Sequence, residues 1–113
     1  MEKTDRIWGH YTVLHENGPS VKLKELVVDP GKSLSMQKHD QRSELWFVSE
    51  GSATLYTMKF KGKFELDGVY EKFSVIRIPV GKWHQLRNET DLPLKIIEIQ
   101  YGDTCVEEDI LRF

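Results

Sequence analysis

The stretch Gln37-Lys38-His39-Asp40-Gln41-Arg42-Ser43-Glu44-Leu45-Trp46 decides how the rest of this chain is read. A β-strand sends successive side chains to opposite faces, so Gln37 and His39 share a face, and so do Glu44, Trp46 and Val48. The same parity groups His84 with Leu86 and Asn88, and Ile96 with Glu98 and Gln100. Each of these faces mixes polar with apolar residues. In a small barrel such a mixture suits a polar pocket set into one end of an otherwise apolar interior. The opposite assignment, with Leu45, Phe47, Ile97 and Ile99 in the core and the polar faces in solvent, has the same periodicity.

Working outward, short β-branched or aromatic runs predict strands at Val21 to Val28, Glu44 to Val48, Ala53 to Phe60, Phe64 to Val69, Ser74 to Ile78, Trp83 to Arg87 and Leu94 to Tyr101. Asp29-Pro30-Gly31, Glu50-Gly51, Lys61-Gly62-Lys63, Asp67-Gly68, Pro79-Val80-Gly81 and Asn88 to Pro93 supply the turns. No segment has a sustained helical period. Many short strands at short spacing predict an all-β sandwich or closed barrel, of which a jelly roll is one form.

At 113 residues the chain has the size of one domain, so 1–113 is expected to form a single unit. A formal net charge of -2 argues against a nucleic-acid partner, and no apolar run approaches the ~20 residues that span a bilayer. The charged start, Met1-Glu2-Lys3-Thr4-Asp5-Arg6, does not read as a signal peptide, and a cytoplasmic location is expected. Cys105 is the only cysteine, so a metal bound by one chain must use imidazole, carboxylate or amide donors.

Two spacings carry the chemistry. Gly31, Gln37, His39, Glu44 and Gly51 are separated by five, one, four and six residues, and Pro79, Gly81, His84 and Asn88 by one, two and three. These stretches resemble the two motifs of the cupins, jelly-roll barrels in which a His-x-His pair, a Glu and a distant His converge on one metal. The resemblance implies one divalent ion held by Gln37, His39, Glu44 and His84. Such a nitrogen-and-oxygen donor set suits Zn, Mn, Fe, Co or Ni without choosing among them. Two departures stand out: Gln37 replaces the usual first histidine, and Phe73 occupies the usual glycine position opening the second motif.

The opening stretch further resembles the Gln-x-His-x-x-Arg-x-Glu-x-Trp signature of type II mannose-6-phosphate isomerases, a cupin family in which glutamine is the expected residue at Gln37. Trp8-Gly9-His10-Tyr11, Pro30-Gly31-Lys32-Ser33-Leu34-Ser35, Ile97-Glu98-Ile99-Gln100 and Glu108-Asp109-Ile110 with Arg112-Phe113 extend the likeness over nearly the whole chain. Ile7 stands where the family usually has proline, Gln85 where it commonly has arginine, and the segment from Gly51 to Pro79 is longer. In many members this domain is the C-terminal part of a bifunctional enzyme with a nucleotidyltransferase domain, and here it is expected to stand alone, without GDP-mannose synthesis.

The resemblance implies interconversion of an aldose and a ketose phosphate, most simply mannose 6-phosphate and fructose 6-phosphate. It makes Arg42 the counterpart of an arginine needed for activity, with a structural salt bridge as the alternative. Glu98 becomes the candidate general base, Lys24 and Gln100 candidate substrate contacts, and Trp46 either a platform for the sugar or a core filler. His10 and His15 are expected at the surface. Two other functions stay open: an iron oxygenase built on His39, Glu44 and His84, and a non-catalytic sugar-binding cupin. If Leu45 and Phe47 point outward, they need covering, and a homodimer is expected.

Overall fold

A computed structural model describes residues 1–113, an all-β structure. Its strands are β1 (Lys3–Arg6), β2 (Gly9–Asn17), β3 (Val21–Val28), β4 (Gln37–Lys38), β5 (Arg42–Glu50), β6 (Ala53–Phe60), β7 (Lys63–Tyr70), β8 (Val75–Ile78), β9 (Gln85–Arg87), β10 (Leu94–Gly102) and β11 (Leu111–Arg112). One sheet has the order β1-β2-β3-β10-β5-β8, a second β7-β6-β9, and β11 pairs with β4 in a third. The core joins the first two sheets: Leu26, Val28, Trp46, Val48, Ile76, Ile78, Leu94 and Ile96 meet Ala53, Leu55 and Leu86. Each large apolar side chain so buried contributes ~1.5–3 kcal/mol.

The registers of β3, β10 and β5 explain the mixed faces. Leu26, Ile96 and Val48 lie opposite one another, as do Lys24, Glu98 and Trp46, and then Lys22, Gln100 and Glu44. Three neighbouring strands therefore change from apolar to polar at the same level, giving an apolar floor and a polar upper chamber. Leu45, Ile97 and Ile99 are only half-buried and Phe47 is exposed, so these residues face outward rather than forming the core.

Several strand limits differ from expectation. The run expected from Trp83 begins at Gln85, because His84 leaves the ladder to exchange backbone hydrogen bonds with Gln37, 2.9 Å each way. The run expected from Ser74 begins at Val75, since the Ser74 amide closes a turn onto the carbonyl of Glu71. The N-terminal hairpin β1–β2 and the closing strand β11 carry no expectation from sequence. His15 is exposed, as expected; His10 lies in β2 and is half-buried.

Backbone conformation accounts for two motif positions. Gly51 has φ +85, and a Cβ there would lie 2.6 Å from the carbonyl oxygen of Pro93. Phe73, in the expected glycine slot, has φ 76, the only non-glycine residue with positive φ. The residue is 66% exposed and its ring stacks on Phe47 at 6.1 Å, so Phe73 keeps the turn at a steric cost. Both Phe73→Gly and Phe73→Ala remove the ring, but only alanine retains a Cβ. The glycine variant is expected to be the more stable by about 1 kcal/mol in urea titration. Equal midpoints would mean that the turn has left the left-handed region.

Candidate functional site

The polar chamber opens as a cavity of about 440 Å³ lined by residues of both sheets and of the C-terminal segment, among them Gln37, Arg42, Glu44, His84, Glu98 and Gln100. One ligand atom each from His39, Glu44 and His84 lie within 4.8 Å of one another, and all three residues are buried. His39 and Glu44 come from the β4–β5 region and His84 from the turn before β9. The bridge between Gln37 and His84 joins the two segments directly.

Hydrogen bonds set the imidazoles. Nδ1 of His39 lies 2.6 Å from the carbonyl oxygen of Asp109, and Nδ1 of His84 lies 2.9 Å from that of Lys82. A carbonyl only accepts, so each Nδ1 carries the proton and each Nε2 keeps its lone pair. Burial holds both rings in the neutral form. It pushes the pKa of His84 down to about 4, and burial followed by the charge of Arg42 lowers that of His39.

Glu44 Oε2 lies 3.2 Å from His39 Nε2 and accepts from Arg42 Nε at 3.0 Å, while Oε1 accepts from Trp46 Nε1 at 3.0 Å. Gln37 donates its amide nitrogen to Ser35 at 3.3 Å, leaving the amide oxygen with no protein donor. Two neutral imidazoles with unprotonated Nε2 atoms, that of His39 lying 3.4 Å from Arg42 Nη2, a buried carboxylate and a free amide oxygen match the donors a divalent first-row metal takes.

The other residues singled out in the sequence meet around this set, with distinct partners. Arg42 also donates to the carbonyl of Val106 at 3.0 Å, and its Nη2 lies 3.4 Å from His39 Nε2. Its guanidinium is thus engaged by the protein at each nitrogen and orients Glu44. Trp46 is a buried member of the core cluster that also lines the cavity. Lys24 is buried and donates to Glu107 at 2.6 Å. Gln100 donates to Glu98 at 2.8 Å, and its Oε1 is the one buried side-chain polar atom with no hydrogen-bond partner. Glu98 lies next to Lys24 and Trp46 in the sheet register. Burial first, then the charge of Glu44 and a hydrogen bond to it, push its carboxyl up to about 8 against the opposing charge of Lys24.

Sequence reading gave no role to the segment that completes the site. Besides the Asp109 carbonyl on His39, the Asp109 carboxylate accepts from the amides of Asp40 and Gln41 at 3.0 and 2.9 Å. Burial alone would raise Glu107, but the hydrogen bond and charge of Lys24, aided by Lys22, outweigh it and hold the carboxyl below its ordinary value.

These shifts fix a pH dependence for the metal-free protein. His39 and His84 bind protons more readily when unfolded, so stability present above pH 6.5 is lost as pH falls below it, for His84 through 6.5 toward 4 and for His39 in the same direction. For His84 alone the loss is about 3 kcal/mol. Glu98 is raised in the folded state, so its contribution is complete below 4.5 and is lost as pH rises through about 8. Between 4.5 and 6.5 the opposing slopes of His84 and Glu98 nearly cancel, and the lowered His39 tips the balance toward higher pH. Urea titrations in chelator are expected to give maximum stability near pH 6.5, and a plateau from pH 5 to 9 would contradict the neutral-imidazole assignment.

Comparison with known proteins agrees with this architecture. The family model described as "Mannose-6-phosphate isomerase C-terminal" matches residues 1–113. "Mannose-1-phosphate guanylyltransferase ManC" of Salmonella typhimurium is 36% identical over 108 residues, covering 96% of this chain and 21% of that protein. "Xanthan biosynthesis protein XanB" of Xanthomonas campestris is 38% identical over 111 residues, covering 98% and 22%. The chain thus spans about a fifth of the length of these relatives. Among solved structures, the capsular polysaccharide assembling protein CapF of Staphylococcus aureus superposes with TM-score 0.81 at 15% identity, over 99% of this chain and 32% of that one. Oxalate decarboxylase OxdC of Bacillus subtilis gives 0.80 at 18%, over 100% and 30%. The helix-free barrel is a cupin fold, none of its segments is a helix long and apolar enough to cross a membrane, and the chain belongs to the mannose-6-phosphate isomerase C-terminal family.

Proposed function

We propose that this chain interconverts an aldose phosphate and a ketose phosphate, most simply mannose 6-phosphate and fructose 6-phosphate. His39, Glu44 and His84, with the amide oxygen of Gln37, would hold one divalent metal. When bound, such an ion supplies Lewis acidity at the substrate carbonyl. The observation that carries the reading is the placement of Glu98, a buried carboxyl that lines the cavity together with Glu44 and His84 and is held by Gln100 at 2.8 Å, with its pKa in the metal-free chain raised by burial. Isomerisation moves a proton between adjacent carbons, which suits a group that both takes and returns a proton near neutrality. Gln100 holds Glu98 at 2.8 Å, and its unpartnered Oε1 is available to a sugar hydroxyl. Lys24 is held against the chamber wall by its ion pair with Glu107, and Arg42 keeps Glu44 aimed at the two imidazoles.

The saturation of Arg42 by protein partners favours a second reading, a binding module that takes the sugar phosphate without turnover. The exposed apolar residues Phe47, Phe73 and Val75 on the outer sheet face support a homodimer as the working form, for which a monomer on a sizing column at micromolar concentration would be the contrary result. The deciding experiment is an assay of the protein loaded in turn with Zn, Mn, Fe, Co and Ni against a panel of aldose phosphates. Ketose phosphate is expected with at least one metal and none with Glu44→Ala. If no metal supports turnover, the isomerase reading fails and the binding module stands in its place.

A further inference from the structure

We propose that Arg6 and Arg112 form an anion subsite at the mouth of the cavity that grips the phosphate of the substrate through paired guanidinium groups. The identity of the ligand rests on the isomerase reading; the subsite itself is a matter of unpaired charge and geometry. Four basic side chains line the cavity: Arg6, Lys24, Arg42 and Arg112. The two inner ones are already neutralised, Lys24 by Glu107 at 2.6 Å and Arg42 by Glu44 at 3.0 Å. The two outer ones form no ion pair with any carboxylate. Arg6 makes one side-chain hydrogen bond, to the backbone oxygen of Asp5 at 3.1 Å, and Arg112 makes none.

Strand register aims both inward. Arg112 lies directly opposite Gln37, and Gln37 directly opposite His84, and residues paired across an antiparallel ladder share a face. Arg112 therefore stands on the His84 side, two strand spacings or ~10 Å away. An open-chain hexose whose carbonyl end sits by the donor cluster carries its terminal phosphate over about that distance. Arg6 pairs with Gly9, and Gly9 with the fully buried Val28, which puts Arg6 on the inner face of its hairpin. Its guanidinium lies 5.3 Å from the ring centroid of Tyr11, whose ring also carries the Lys24 ammonium at 4.1 Å. The stack keeps Arg6 extended along the cavity wall.

Gln85 removes the competing location. It stands where the family resemblance expects arginine, but its parity is opposite to that of His84 and Leu86. Its amide donates to the carbonyl of Leu34 at 3.0 Å and accepts from Arg87 at 2.9 Å, so it does not line the cavity. A dianionic phosphate entering this cavity meets Arg6 and Arg112 as its unengaged cations, and the planar fork of each fits two phosphate oxygens.

The test is titration of the metal-free 113-residue chain with inorganic phosphate and with mannose 6-phosphate, followed by tryptophan fluorescence, with mannose as the uncharged comparison. Arg6→Gln and Arg112→Gln are each expected to raise the Kd for both phosphates about 10-fold, with the double variant showing no saturable binding. Arg112→Lys should recover only part of the loss, because a point charge lacks the fork. Arg77→Gln, on the solvent face where Arg77 binds the Tyr101 hydroxyl, should bind like the unaltered chain. Unchanged affinity in both glutamine variants with an intact unfolding transition overturns the subsite, as does failure of the unaltered chain to bind phosphate in the millimolar range. Binding is read without turnover, so the two proposals fail separately. Arginine-dependent phosphate binding in a chain that isomerises nothing removes the isomerase reading alone, whereas turnover with an unchanged KM in the variants removes the subsite alone.

Discussion

Replacing Glu44 by alanine is expected to destabilise the metal-free protein by about 3–5 kcal/mol and to abolish its stabilisation by divalent metal. Glu44 is the acceptor for Arg42 at 3.0 Å and for the Trp46 indole at 3.0 Å, and all three residues are buried. Without it a guanidinium and an indole N–H remain in the interior with no carboxylate to meet them. In a domain of this size that loss lowers Tm by roughly 10–40 °C. Glu44→Gln keeps an oxygen for Trp46 and drops only the charge, so it should fall between the alanine variant and the unaltered protein. Metal is expected to raise the stability of the unaltered chain by about 2.7 kcal/mol at 100 times its Kd, and neither variant should show that increment. Urea titration with and without metal measures both effects. One result would sink the account: Glu44→Ala within 1 kcal/mol of the unaltered chain, which would mean that Glu98 ionises and takes over Arg42.

The parts of this structure legible in sequence are those written in periodic side chains. β5 and β10 alternate strictly, β3 only as far as Leu26 because Val27 and Val28 are both buried, and the change from Val48 and Ile96 to Glu44, Glu98 and Gln100 marks the chamber in the sequence itself. What periodicity left open was which face is inside, and burial settles it: Glu44 and Glu98 are buried while Phe47 is 38% exposed. The N-terminal hairpin escaped because β1, Lys-Thr-Asp-Arg, has no apolar face and is held by backbone pairing to β2.

The closing segment escaped for a different reason. Its contacts to the site are single ones made across long separations, from Glu107 to Lys24 and from the Asp109 carbonyl to His39. A backbone carbonyl carries no residue signature, and one carboxylate among Glu107, Glu108 and Asp109 looks like any other until the chain is folded. Phe73 is the reverse case: it stands in the usual glycine position of the motif, and φ 76 shows that the left-handed turn persists there without glycine.

Glu98→Gln is expected to lower kcat for the aldose phosphate by roughly 10²- to 10⁴-fold while leaving the fold and metal stabilisation intact. The amide can still accept the hydrogen bond that Gln100 donates at 2.8 Å, so the geometry of the pair survives. It can neither take nor return a proton. The same substitution separates chemistry from structure through its effect on stability. In the unaltered chain the folded carboxyl holds its proton up to about 8 against an ordinary value of 4.5, so stability falls as pH rises through that window. Glutamine has no proton to lose there. The metal-free variant should therefore lose the alkaline decline, gaining a few kcal/mol over the unaltered chain at pH 9, while the acid decline set by His39 and His84 remains. A residue kept for packing would give the opposite pattern, with activity preserved and stability lowered. Poor catalysis together with higher alkaline stability is the signature of a carboxyl whose desolvation serves proton transfer, and loss of the acid limb of the kcat profile in the variant would complete it. Activity within 10-fold of the unaltered chain would instead move the proton transfer to another group in the cavity.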